Sequence, residues 1–84
     1  MNAVSIERRA APRHRVFKHG TLAFHDGSSV ECTVRNISTS GARVDAALPI
    51  GLPSAFTLVI EKDHFVRPCH AVWNHDHQVG IAFD

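Results

Sequence analysis

The chain has 84 residues, of which 44% are hydrophobic, and a net charge of +1 with histidine neutral. This length predicts a single domain. Because such a domain buries only about 60% of the surface that its unfolded chain exposes, little core is left for a deep catalytic cavity. The near-neutral net charge argues against a strongly basic nucleic-acid-binding protein. The positive charge is local, because five arginines and lysines accompany one acidic residue between positions 7 and 18.

The N-terminal segment, residues 1–14, is predicted to be a flexible basic arm. It lacks hydrophobic periodicity, and Pro12 removes a backbone donor and disfavours helix at Ala11. The remainder, residues 15–84, is predicted to be one β domain that follows the arm.

Residues 15–84 contain about six short strand-like segments and no helical periodicity longer than a turn or two. Val30, Cys32 and Val34 alternate with polar residues, which is the period of a half-buried strand. Pro68 indicates an edge or a bulge in its strand. Many short strands favour a small barrel, because closure removes exposed edges. The predicted strands are 16–24, 30–35, 42–45, 55–61, 64–74 and 79–83, with a hairpin turn at 25–28 and loops at 36–41 and 46–54.

The compartment is predicted from the cysteines and from apolar runs. No apolar signal segment precedes Cys32 and Cys69, and no run approaches the roughly 20 apolar residues of a membrane span. We therefore expect a cytoplasmic protein without membrane insertion, with two reduced, buried thiols.

The first motif with binding chemistry lies in the arm. Arg9 and Arg13 form R-x-x-x-R, and Arg8 precedes them. The planar arginine fork matches phosphate oxygens and the O6/N7 edge of guanine, and it also stacks on a base. Two arginines four apart can hold a ligand from both sides. Taken alone, the same residues also fit a solvated basic tail.

The second motif is N-x-S-x-x-G, formed by Asn36, Ser38 and Gly41. The amide donates and accepts hydrogen bonds, and the hydroxyl adds a further polar group. Gly41 permits a positive φ and close backbone approach, and successive N–H groups of such a turn can form an anion-binding concavity. Taken alone, this motif also fits an ordinary β-turn.

The remaining polar and aromatic residues indicate a function less specifically. Trp73 fits packing in the core or at the barrel rim, and also the wall of a ligand or partner site; Arg43 fits a ligand contact or a solvent-exposed strand position. Adjacent strand residues point to opposite faces, so neither the segment 75–77 nor the pair 69–70 predicts a metal site. Without a triad, paired carboxylates or a phosphate-gripping glycine loop, we predict neither an enzyme nor a cofactor.

Taken together, the residues resemble the PilZ domain family, bacterial receptors for cyclic di-GMP. The resemblance covers nearly the whole chain. It rests on Arg9-x-x-x-Arg13, on Asn36-x-Ser38-x-x-Gly41 followed by Ala-Arg-Val, and on the closing segments 71–73 and 79–83.

The resemblance implies a six-stranded antiparallel β-barrel with the arginine arm lying across its outer surface. It implies that Arg9 and Arg13 grip guanine and phosphate. Asn36, at a position where the family has Asp or Asn, should contact the second guanine and its ribose-phosphate together with Ser38 and Gly41. An arginine at the position of Arg8 tends to accompany an intercalated ligand dimer.

The resemblance also implies how such a protein acts. The chain ends at Asp84 without the C-terminal helix or second domain of many relatives, so we expect a stand-alone adaptor that signals to an unidentified partner protein. One alternative is a ligand-independent interaction module associated with pili or motility, although such relatives usually lack the arginine motif. Another is weak nucleic-acid binding by the basic arm, which would depend steeply on salt.

Overall fold

The computed structural model describes residues 13–47 and 55–84, which form a closed barrel of antiparallel strands. A short 3-10 turn, Glu61–Asp63, follows the fourth strand. The strands are β1 (His14–Ala23), β2 (Ser29–Ile37), β3 (Gly41–Asp45), β4 (Ala55–Ile60), β5 (Phe65–His75) and β6 (Gln78–Phe83). Around the barrel they follow the order β1-β2-β3-β6-β5-β4, which confirms the predicted six-stranded barrel.

The barrel interior is filled by the apolar side chains that alternate along the strands. In β4, for example, Phe56, Leu58 and Ile60 are buried, and the residues between them are not. Cys32 and Cys69 are free and buried in this core. Burial raises the pKa of the Cys32 thiol to about 12 and that of Cys69 to about 11, so both thiols are protonated and neutral near pH 7.

The strands around the second motif are longer than predicted. β2 runs to Ile37 and β3 begins at Gly41, so the predicted loop 36–41 is reduced to three residues. The reason is pairing, because Asn36 and Ile37 lie opposite residues of β3. His14, placed in the arm by the sequence, pairs with Ile37 and begins β1.

The irregularity expected near Pro68 lies further along β5. Pro68 precedes the first β5–β6 pair, Cys69 with Phe83, so the missing N–H breaks no pair of that ladder. The register of β5 against β6 instead shifts between Ala71 and Trp73.

The ring order gives the barrel two opposite seams. The β3–β6 seam lies across the barrel from the β1–β4 seam, since three strands lie between the two seams on either side. Within the described ranges, no helix is long and apolar enough to span a membrane. Residues 1–12 and 48–54 lie outside the description, so the predicted flexibility of the arm stays a prediction.

Candidate functional site

A row of four residues crosses the β3–β6 seam on the outside of the barrel. Asn36 of β2 lies opposite Arg43 of β3, and Arg43 lies opposite Gly80 of β6. Gly80 in turn lies opposite Trp73 of β5. Four strands therefore bring an amide, a guanidinium and an indole together on one surface.

Two β-bulges place the ends of this row on the outer face. In β2 the register shifts between Val34 and Asn36, and in β5 between Ala71 and Trp73. One extra residue reverses the side to which the following side chains point. Val34 and Ala71 accordingly contribute to the core or pack against it, while Trp73 is 45% exposed. A regular alternation continued from Ala71 would place Trp73 on the core face, and the bulge turns it outward.

Gly80 provides the seat for the indole of Trp73. A Cβ atom at position 80 would collide with Nε1, Cε2 and Cδ1 of Trp73. Only glycine therefore lets the indole rest against the β6 backbone. The ring is held on one side by β6 and is accessible on the other.

A cleft of about 340 Å³ opens beside this row. Trp73 and Val72 contribute its apolar surface, and Arg13, Asn36 and Arg43 contribute its polar groups. Val72 is 62% exposed, so the apolar part of the cleft is open to a ligand. A cleft with an aromatic surface and arginine forks suits a ligand with flat rings and negative charge.

The polar side of the cleft is partly organised already. Nη1 of Arg13 donates a hydrogen bond of 2.6 Å to Oδ1 of Asn36. Because arginine only donates, the amide oxygen faces Arg13 and the amide NH₂ is left for another acceptor. Nε of Arg43 is buried without a hydrogen-bond partner among the described residues. The remaining donors of Arg13 and the amide NH₂ of Asn36 are therefore free for a ligand rich in acceptors.

Ser38 holds the loop together from within. Its hydroxyl oxygen lies 3.2 Å from the backbone nitrogens of Ser40 and Gly41, which donate to it. The backbone N–H of Ser38 donates to the carbonyl of Gly41 at 2.8 Å. The prediction that the backbone N–H groups of this loop form an anion-binding concavity is wrong for these three groups, because internal hydrogen bonds already use them.

Gly41 allows the backbones of β3 and β6 to approach each other closely. A Cβ atom at this position would collide with the carbonyl oxygen of Ile81 on β6. The positive φ considered for Gly41 is wrong, since Gly27 is the glycine with positive φ in the described part of the chain. Gly41 therefore allows β3 to approach β6 and lines the cleft.

The structure brings together three of the six predicted ligand residues. Arg13, Asn36 and Gly41 line the cleft, whereas Ser38 lines a separate hollow on the other side of the loop. Arg8 and Arg9 lie outside the described residues. Gly80 and Val72 were not singled out in the sequence. A glycine inside a strand, which often marks a close approach, was the available signal for Gly80.

These features define a small β-barrel with an arginine-lined cleft on its outer face. A family model described as the PilZ domain matches residues 7–84. The match spans nearly the whole sequence, and the chain belongs to the PilZ domain family. PilZ domains are receptor and adaptor modules for cyclic di-GMP, and they are not enzymes. No curated protein matches the chain.

Proposed function

We propose that this chain is a receptor for cyclic di-GMP and that the dinucleotide binds in the cleft between Arg13 and Trp73. The observation that carries the proposal is the row across the β3–β6 seam, which places Asn36, Arg43 and Trp73 side by side. Cyclic di-GMP combines two purine bases with two phosphates. The cleft offers a matching combination of aromatic surface and arginine donors.

The guanine bases would stack on the indole of Trp73 and accept hydrogen bonds from the arginine side chains. Stacking of a base on an aromatic side chain contributes roughly 1–3 kcal/mol, and Trp73 is held with one ring face against β6. Arginine matches the O6/N7 edge of guanine, and Arg13 and Arg43 both line the cleft. The free NH₂ of Asn36 can donate to a further acceptor of the ligand.

The rest of the clamp comes from the arm. Arg9 precedes Arg13 by four residues, so an extended chain places their Cα atoms at most about 14 Å apart. This reach allows Arg8 and Arg9 to close over a ligand held by Arg13. Ordering a segment in this way costs entropy but produces a large conformational response.

The output of such a receptor is a changed surface. In our proposal, the closed arm and the bound nucleotide together form the surface that a partner protein recognises, and no catalysis is involved. We place this function in the cytoplasm because both cysteines are free, as reducing compartments require. The nearly balanced net charge supports a specific small ligand over a nucleic acid.

A titration followed by amide NMR tests the proposal. Cyclic di-GMP should shift the amides around Arg13, Asn36 and Trp73 and should slow the exchange of amides in residues 1–12. GMP and a short single-stranded oligonucleotide serve as control ligands. Shifts of equal size with the oligonucleotide, vanishing with added salt, would indicate nonspecific charge binding and contradict the proposal.

Replacement of Arg8 by alanine tests the number of ligands bound. If Arg8 inserts between stacked guanines of a ligand dimer, Arg8→Ala should reduce the stoichiometry from two nucleotides per chain to one, because the second nucleotide loses its cation–π contact. Calorimetric titration measures this ratio directly. An unchanged ratio in Arg8→Ala, or a ratio of one in the parent, would exclude the role of Arg8 in a ligand dimer.

A further inference from the structure

The charged side chains that line the candidate cleft share one chemical property, which is that they donate hydrogen bonds. Arg13 and Arg43 can only donate, since a guanidinium has no acceptor. Among the described residues, no aspartate or glutamate lines the cleft. Asn36 is therefore the lining side chain that could offer a carbonyl oxygen to a ligand.

Arg13 already occupies that oxygen. Its Nη1 donates to Oδ1 of Asn36 at 2.6 Å, and among the described residues this is the only hydrogen bond of the Asn36 side chain. If the amide turned over, two donors would face each other and this hydrogen bond would be lost. The group of Asn36 that is left for a ligand is therefore its NH₂, a donor.

The acceptors close to the cleft do not replace this oxygen. Oδ2 of Asp45 accepts from Nη1 of Arg35 at 2.8 Å, and Asp45 does not line the cleft. Ser40 lines the cleft with a neutral hydroxyl, whose oxygen lies 3.2 Å from Oγ of Ser38. Glu7 lies in the arm, outside the described residues, and is tested separately. The described part of the cleft thus presents charged donors and no charged acceptor.

A guanine base has groups of both kinds on its edges. O6 and N7 accept hydrogen bonds, whereas the 2-amino group donates. Charged donors in the cleft match O6 and N7. The 2-amino group is matched by a carboxylate, which the described part of the cleft lacks.

We propose that the cleft recognises its purines through O6 and N7 and not through the 2-amino group, and that Asn36, with its oxygen held by Arg13, sets this preference. The inference rests on the proposed function, because it concerns how the nucleotide in the cleft is recognised. The class of ligand is then a cyclic dinucleotide whose purines carry O6. Hypoxanthine, which is guanine without the 2-amino group, belongs to this class.

Calorimetric titration of the full chain with three cyclic dinucleotides tests this preference. Their bases are guanine, hypoxanthine, or 2-aminopurine, which keeps the amino group and lacks O6. The hypoxanthine analogue should bind within about threefold of cyclic di-GMP, because no group of the cleft loses a partner. The 2-aminopurine analogue should bind at least about tenfold more weakly, because donors of the cleft then face a C–H group.

Replacement of Asn36 by aspartate should create a preference that the parent lacks. The substitution keeps the oxygen that accepts from Arg13 and replaces NH₂ by a second oxygen, which can accept from the 2-amino group. Asn36→Asp should therefore prefer cyclic di-GMP over the hypoxanthine analogue by about tenfold, the effect of one hydrogen bond to a charged group. Asn74→Asp is the matched control. It adds the same charge at an exposed position of β5 that does not line the cleft, so it should keep the ratio of the parent.

Three results would overturn the proposal. In the first, the parent prefers cyclic di-GMP over the hypoxanthine analogue by tenfold or more, and Glu7→Gln then shows whether the acid of the arm binds the 2-amino group. In the second, the parent binds the 2-aminopurine analogue as well as cyclic di-GMP. In the third, Asn36→Asp keeps the ratio of the parent. In all three the parent binds cyclic di-GMP, whereas a parent that does not bind it would refute the proposed function itself.

Discussion

Replacement of Arg13 by alanine is expected to weaken binding of cyclic di-GMP about a hundredfold while the barrel stays folded. A charge-assisted hydrogen bond contributes about 1.5–3 kcal/mol and a cation–π contact about 0.5–2 kcal/mol. Losing both costs about 3 kcal/mol, which corresponds to roughly a hundredfold loss of affinity. The side chain of Arg13 also donates to Asn36, so Arg13→Ala additionally releases the amide that Arg13 orients. Calorimetric titration measures the affinity of parent and variant.

The control for this prediction removes the same charge from the opposite side. Lys62 lies in the 3-10 turn at the β1–β4 seam, and Lys62→Ala should bind the nucleotide like the parent. Because Arg13 is exposed, circular dichroism and the urea midpoint of Arg13→Ala should match those of the parent. Arg9→Ala should show the same loss of affinity. If either arginine variant binds like the parent, the arginine clamp does not exist.

Much of this fold could be predicted because its signals are local. The alternation of Val30, Cys32 and Val34 fixed the second strand, and all six predicted strands are present with shifts at their ends. The polar motifs could be recognised for the same reason, since each lies within six consecutive residues. Arg13 and Asn36 were named independently, and Arg13, which directly precedes β1, donates a hydrogen bond to Asn36 of β2.

The surface that surrounds these motifs could not be predicted from local pattern. A single extra residue at Val72 turns Trp73 from the core face to the outside, and no feature of the alternation marks this bulge. The row from Asn36 to Trp73 depends on the pairing of β3 with β6, which are far apart in sequence. Such pairing depends on the closure of the whole barrel, so a reading of short segments cannot supply it.

The pairing of β1 among the described residues illustrates the same limit. The sequence favoured a closed barrel because closure removes edges, and the barrel is closed. Closure at the β1–β4 seam is nevertheless only three residue pairs long, since β4 ends at Ile60 while β1 extends further. The relative length of neighbouring strands, rather than their number, decides how much edge remains.

Replacement of Gly41 by alanine is expected to lower the free energy of unfolding by about 2 kcal/mol, the typical cost of forcing an added methyl group into a packed site. The new Cβ would collide with the carbonyl oxygen of Ile81, which belongs to the backbone of β6 and cannot rotate away. The β3–β6 pair would have to separate, and the cleft lies across this pair. Urea unfolding measures the loss, and a shift of about 8–16 °C in Tm should accompany it.

Gly80→Ala is the matched control, because it adds the same methyl group to the neighbouring strand. There the Cβ meets the indole of Trp73, which is partly exposed and can swing outward, so stability should change by less than about 1 kcal/mol. Trp73 is the only tryptophan, so its fluorescence should report the displaced ring as a red shift. Unchanged stability of Gly41→Ala would show that β3 does not approach β6 so closely. An unchanged emission of Gly80→Ala would show that Trp73 does not rest on Gly80.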